Sequence, residues 1–243
     1  MVRYGKRSGR YGHLSLILCP AFISPIHDQT VVTMPRILNL HPDNPQTRLI
    51  TQAVETIQRG GVIALPTDSG YALGCALGDK DAMERIRSIR GLDDKHFFTL
   101  MVRDLSEISV YARVDNIAYR FLRQYTPGAY TFILPASSEA PRRLQHPKRK
   151  TVGVRVPEHP LTQALLQVLG EPLLSSTLIL AGDTEPLCDP EEIKSRIGKR
   201  LDLILDVGFC ADQPTTVIDM AGDDMLLVRR GLGEVPVGVI ENV

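Results

Sequence analysis

The sequence predicts an α/β protein built on a twisted, mixed open sheet, and three observations carry that expectation. Helical and strand-length apolar patterns alternate along the chain. The run from Val62 to Leu65 is continuously apolar, which suits a strand buried on both faces. No repeat or low-complexity segment interrupts the alternation, so residues 34–243 read as one domain.

The first 33 residues differ from the rest. Arg3, Lys6, Arg7 and Arg10 precede an apolar stretch from Leu14 to Ile23, which superficially resembles a signal peptide. Pro20 interrupts that stretch and no small-residue cleavage site follows, so residues 1–33 are expected to be an over-long or poorly ordered extension, with Met34 the simpler start.

From there, Ile37 to Leu40 reads as a short strand. Leu49, Ile50, Ala53, Val54 and Ile57 recur at helical spacing over residues 46–59, and Gly60 and Gly61 stop that helix before the Val62 strand. Thr67-Asp68-Ser69-Gly70-Tyr71 follows at the strand's carboxyl end. In an open sheet such loops line the ligand crevice, yet Thr-Asp-Ser-Gly equally suits a turn that satisfies its own backbone. Asp79 to Arg90 reads as a cation-rich helix with Met83, Ile86 and Ile89 on one side and Gly91 as its stop. Phe97 to Val102 is a strand, Leu105 to Val110 a short helix, and Asp115 caps a helix through Tyr125. Strands are expected at Tyr130 to Leu134, Thr151 to Val156, Leu173 to Leu180, Leu201 to Leu205, Thr215 to Met220 and Leu226 to Arg230. A helix is expected over Leu161 to Leu169, and Asp189-Pro190-Glu191-Glu192 opens another with a cap, a first-turn proline and acids facing the dipole.

Composition excludes several classes. The 28 basic and 28 acidic side chains cancel, so a nucleic-acid role needs a local patch. Cys19, Cys75, Cys188 and Cys210 show neither C-x-x-C nor Cys/His ligand spacing, which argues against a zinc site or disulfide framework and for a reducing cytosol. No apolar run reaches the roughly 18 to 20 residues of a membrane span, so no membrane association is expected. Phosphate-binding, dinucleotide and nucleophile-elbow motifs are absent, and the histidines are too scattered for a triad or a metal site.

What remains is a set of hydroxyls near strand ends and a set of cations. The hydroxyls are Thr67, Ser69 and Tyr71; Ser175, Ser176 and Thr177; and Thr215 and Thr216. The cations are Arg90, Lys95, Arg155 and Arg229, with Arg142, Arg143, Lys148, Arg149 and Lys150 packed into nine residues. Hydroxyls and guanidiniums without a nucleophile suit a phosphorylated or carboxylated ligand. The 142–150 cluster suits either RNA phosphates or a solvated loop.

Four segments resemble the YrdC family, nearest its YciO branch. They are Pro66-Thr67-Asp68-Ser69-Gly70-Tyr71-Ala72-Leu73-Gly74-Cys75, Thr126 to Ile133, Thr151 to Pro157, and Pro214 to Asp219, in order within residues 34–233. The resemblance implies a single domain with a concave basic cavity, and threonylcarbamoyl-AMP synthesis from L-threonine, bicarbonate and ATP for the t6A modification of tRNA. Magnesium is expected with ATP, and tRNA or double-stranded RNA as a partner. It places Thr67, Tyr71 and Arg155 at the amino-acid end, Arg90, Lys95, Ser176, Thr216 and Arg229 toward the nucleotide, and the 142–150 cations on RNA. Two motifs depart from the synthase pattern: Arg90-Gly91-Leu92 stands for Lys-x-Arg, and Ser176-Thr177-Leu178 for Ser-x-Asn. Each lost charge-assisted bond removes roughly 1.5 to 3 kcal/mol, so slow or absent synthesis is the expectation. Leu92 and Leu178 would also make one side of the pocket more apolar, favouring a different nucleotide or amino acid.

Overall fold

The computed structural model describes residues 35–92 and 98–241. The expectation for residues 1–33 and the cation Lys95 lie outside them.

The sheet begins with β1 (Arg36–Asn39) and β2 (Ile63–Thr67), joined by α1 (Thr47–Gln58). A hairpin takes β2 directly into β3 (Gly70–Ala76), which the glycine-rich sequence concealed. Gly74 belongs in that strand because a Cβ there would come within 2.8 Å of Leu173 Cδ2 and 3.0 Å of Leu65 Cδ2. Then come α2 (Lys80–Arg90), β4 (Thr99–Met101), α3 (Leu105–Tyr111), α4 (Asn116–Tyr125) and β5 (Tyr130–Pro135). β6 (Thr151–Arg155), α5 (Pro160–Leu169), β7 (Leu173–Thr177), α6 (Pro190–Ile197) and β8 (Leu203–Asp206) follow. The chain closes on β9 (Thr216–Asp219), β10 (Leu226–Arg229) and β11 (Ile240–Glu241). β7 stops at Thr177, three residues short of the sequence expectation.

Local chemistry sets the helix ends. The Asp79 carboxylate accepts from the Ala82 amide, and the Asp115 carboxylate from those of Ile117 and Ala118. Gly91 ends α2 at φ 64°, a left-handed conformation that favours glycine.

The strands lie in the order β1-β8-β2-β3-β7-β4-β6-β5-β9-β10-β11, a mixed sheet that does not close. Its two faces are covered unequally. One face packs along its length on α2, α3, α4 and α6, burying Met83, Ile86, Ile108, Leu122, Ile193 and Ile197 with Leu100, Phe132, Val154, Leu174 and Ile218 of the strands. The opposite face is covered over β1, β2, β3 and β8, where Ile50, Val54 and Ile57 of α1 and Leu161, Leu165 and Leu166 of α5 meet Ile63, Leu65 and Leu203. Over β6, β5 and β9, and at Thr99 of β4, that second face lies outside both hydrophobic clusters, while Met101 at the end of β4 joins the second one. Strand alternation places Thr99, Thr131 and Thr151 there.

Candidate active site

The candidate cleft is the uncovered sheet face, rather than a crevice beyond the strand ends. Its floor is laid by period-two alternation: Thr99 from β4, Thr131 and Ile133 from β5, Thr151 and Gly153 from β6, Ser175 and Thr177 from β7, with Thr215 and Val217 at β9. The residues between them, Leu100, Phe132, Val152, Val154 and Leu174, are in the main core. Register aligns the floor, since Thr99 pairs with both Gly153 and Ser175, and Ile133 pairs with Gly153. The missing side chain at Gly153 keeps the middle of the floor low; a Cβ there would make only ordinary contacts, 3.6 Å from Thr99 Oγ1.

The outer part of the cleft encloses about 220 Å³. Arg90, the last residue of α2, donates from Nε to the Ile179 carbonyl at 3.0 Å and from Nη1 to Ser176 Oγ. Arg229 reaches in from β10, donating from Nε and Nη2 to the Thr215 carbonyl at 3.1 and 2.9 Å and from Nη2 to Thr215 Oγ1 at 3.1 Å. The Thr215 and Thr131 hydroxyls are 2.8 Å apart. Burial, and then the neighbouring Arg229 charge, push Arg90 down to about 10. Arg229 is lowered by desolvation and then by Arg155. These shifts record cations held near one another on a poorly hydrated wall. All remain charged at neutral pH.

The inner part is smaller, about 20 Å³, and is lined by Thr67, Tyr71, Arg155 and the Ser175 to Thr177 segment. Thr67 Oγ1 donates to the Gly70 carbonyl at 2.6 Å and accepts from the Ser69 amide at 3.2 Å. The turn therefore satisfies its own backbone, while Thr67 also lines the inner part of the cleft. Arg155 Nη2 donates to Asp68 Oδ1 at 2.5 Å and to Thr67 Oγ1 at 3.4 Å. Arg155 is lowered by burial, which Asp68 opposes. Asp68 Oδ2 and Arg155 Nε are buried with no hydrogen-bond partner. The Tyr71 ring lines the wall, but its hydroxyl donates to the Gly208 carbonyl at 3.0 Å and accepts from the Val207 amide at 3.3 Å. Burial raises that phenol far above its ordinary value, so it stays neutral.

Thr67, Tyr71, Arg155, Arg90, Ser176 and Arg229 are thus brought together. Thr216 is not. It faces the other way, fully buried, with its hydroxyl donating to the Gly233 carbonyl, and Thr215 takes its place at the cleft. Leu178 is buried in the main core, and neither it nor Leu92 lines the cleft, so the more apolar pocket wall expected from them is not present. Sequence reasoning missed Thr99, Thr131 and Thr151; their signal was polar residues at period two inside otherwise apolar strands.

The 142–150 segment is an ordered turn at the rim. His146 Nδ1 accepts from the Lys148 and Arg149 amides at 3.2 and 3.0 Å. Arg149 lines the outer cleft, with both terminal nitrogens on the Asp219 carboxylate at 2.5 and 2.9 Å. Arg143 is 3.5 Å from the Gly78 carbonyl, while Arg142, Lys148 and Lys150 are exposed without a side-chain partner among the described residues. No group of three or more metal-binding side chains occurs among the described residues. No described helix is long and apolar enough to cross a membrane.

A family model described as "Sua5_yciO_yrdC: Telomere recombination" matches residues 55–231. The chain is 57% identical over 202 residues to the uncharacterized protein YciO of Escherichia coli K12, covering 83% of this chain and 98% of that one. The crystal structure of E. coli YciO superposes with a TM-score of 0.82, covering 85% of this chain and 100% of that chain. A threonylcarbamoyl-AMP synthase of Vibrio vulnificus YJ016 is 32% identical over 160 residues, covering 64% of this chain and 84% of that one. P. abyssi Sua5 complexed with L-threonine shares the fold, at TM-score 0.74 and 24% identity over 80% of this chain and 57% of that one. An uncovered hydroxyl face walled by arginines, a match over most of the chain and relatives of nearly equal length lead to one conclusion: the chain belongs to the Sua5/YciO/YrdC family.

Proposed function

We propose that this chain binds ATP with its magnesium, and L-threonine, in the hydroxyl-lined cleft, and slowly makes threonylcarbamoyl-AMP from them and bicarbonate for tRNA modification. The observation that carries this reading is that Arg90 and Arg229 line the outer part, and Arg155 the inner part, of one hydroxyl-floored cleft. A polyanion offsets their like charges, and each guanidinium can fork onto phosphate or carboxylate oxygens.

In this reading Arg90, Arg229 and Ser176 hold the phosphates. The amino acid lies toward Thr67, with its carboxylate taking over from Asp68 on Arg155. The amine captures carbon dioxide from bicarbonate, the carbamate oxygen attacks the α-phosphorus, and pyrophosphate leaves. The step asks for alignment and charge more than for a protein nucleophile. Relatives at 32% identity that bear the synthase name support the substrate set. Leu92 in place of the second cation of Lys-x-Arg and Leu178, buried where synthases carry an asparagine, support the low rate.

The test is pyrophosphate release by the purified chain, with and without L-threonine and bicarbonate. Release that needs both, together with ATP, is expected; silence at high enzyme concentration overturns the synthase reading. A second reading, RNA binding without catalysis, is favoured by the exposed side chains of Arg142, Lys148 and Lys150 at the rim. It predicts RNA affinity that falls steeply with salt.

A further inference from the structure

Two thiols outside the cleft floor lie on neighbouring segments that back the Thr67 hairpin. Cys188 and Cys210 are both free and half-buried. The Cys210 amide donates to the Cys188 carbonyl at 3.1 Å. Residues joined by such a bond hold their Cα atoms about 5 to 6 Å apart, within the span that disulfides bridge. The same segment holds the Tyr71 hydroxyl through the Gly208 carbonyl and the Val207 amide.

We propose that Cys188 and Cys210 form a reversible disulfide when the protein meets a hydroperoxide, and that this bond resets the segment behind the inner end of the cleft. Burial holds the Cys210 thiol up to about 11, so Cys210 is scarce as a thiolate and acts second. The Cys188 sulfur attacks the peroxide, giving a sulfenic acid and one water. The Cys210 sulfur then displaces the sulfenic oxygen, forming the sulfur–sulfur bond and releasing a second water. The two thiols supply two electrons and two protons, and the peroxide is reduced to water.

The consequence follows from what residues 207–211 hold. Val207 and Gly208 bind the Tyr71 hydroxyl, and the Ala211 carbonyl lies so close to Gly70 that a Cβ there would approach it to 2.8 Å. Drawing the Cys210 sulfur onto Cys188 shifts the segment that carries Val207, Gly208 and Ala211, so the backing of the hairpin rearranges.

The experiment treats the full chain with hydrogen peroxide, alkylates the remaining thiols, and maps peptides with and without dithiothreitol, alongside hydrogen exchange. The expected result is a Cys188–Cys210 linkage, reversed by dithiothreitol, with exchange at residues 70–71 and 207–211 changed about threefold or more. In Cys188→Ser the linkage and the exchange change both disappear. Cys210→Ser must instead leave Cys188 as a sulfenic acid that dimedone traps, and Cys188→Ser stands as the variant remote from Tyr71 should it fold poorly. Linkage of either thiol to Cys19 or Cys75, independent oxidation of the two, or a linkage with unaltered exchange overturns the proposal. None of these readouts depends on which ligand the cleft takes.

Discussion

Asp68→Asn removes a charge without removing a shape, and it isolates what holds Arg155 in place. The Arg155 side chain is 5% exposed and that of Asp68 is 14% exposed, so the pair sits almost wholly out of water. Arg155 Nε already lacks a partner, which leaves the contact to Asp68 Oδ1 as the main compensation for the guanidinium charge. Breaking a buried ion pair by neutralising one member costs about 3 to 5 kcal/mol, and the nearby cleft, which admits water, sets the expectation at about 3. In a domain of this length that lowers the melting temperature by about 6 to 12 °C. Differential scanning calorimetry of wild type and variant measures it. Two further measurements define the cause. The double variant Asp68→Asn/Arg155→Met recovers most of the loss, because no uncompensated charge remains. L-threonine at about 100 times its dissociation constant, its carboxylate seated against Arg155 as in the proposed reading, adds about 2.7 kcal/mol to the single variant. A single variant that melts within about 1 °C of wild type would refute the argument that Asp68 compensates Arg155.

Three other outcomes follow from the same geometry. Gly153→Val raises the cleft floor where a Cβ meets only ordinary contacts, so ATP binding measured by calorimetric titration falls at least about tenfold while the melting temperature stays within a few degrees. Burial, reinforced by Asp79, holds the Cys75 thiol up to about 12, above its unfolded value of 9.0. The neutral thiol is therefore favoured in the fold, its stabilisation is complete below pH 9, and it is lost as pH rises toward 12. Cys75→Ala should flatten the fall in melting temperature across that window, and an unchanged profile would remove Cys75 as its source. Changing Arg142 and Lys148 to Gln and Lys150 to Asn removes three exposed cations, Asn suiting the φ of 54° at Lys150. If the rim tracks RNA, the slope of log affinity against log salt becomes shallower by about 2 to 3; an unaltered slope places the RNA elsewhere.

Most of the elements are legible in the sequence, β3 and β11 excepted. Caps at Asp115 and Asp189, the glycine stop at Gly91 and the apolar spacing in α1 are local signals, and each acts within one or two turns of chain. The motif around Thr67 and the Arg155 strand were equally legible, because their residue types stand out from apolar neighbours. Tertiary structure alone decided where the cleft lies. Alternation in β4, β5 and β6 announces two faces, but only the positions of α1 and α5 show which stretch stays uncovered. The same limit explains the individual surprises. Thr216 and Thr215 are adjacent, and register on β5 sends one hydroxyl inward to Gly233 and the other into the cleft. In sequence Arg149 suits either a phosphate contact or a solvated loop, and its pairing with Asp219, 70 residues away, is set by the fold. Leu178 read as pocket wall, yet it lies in the main core. Propensity and capping are set by neighbours in the chain, whereas coverage and charge pairing are set by neighbours in space.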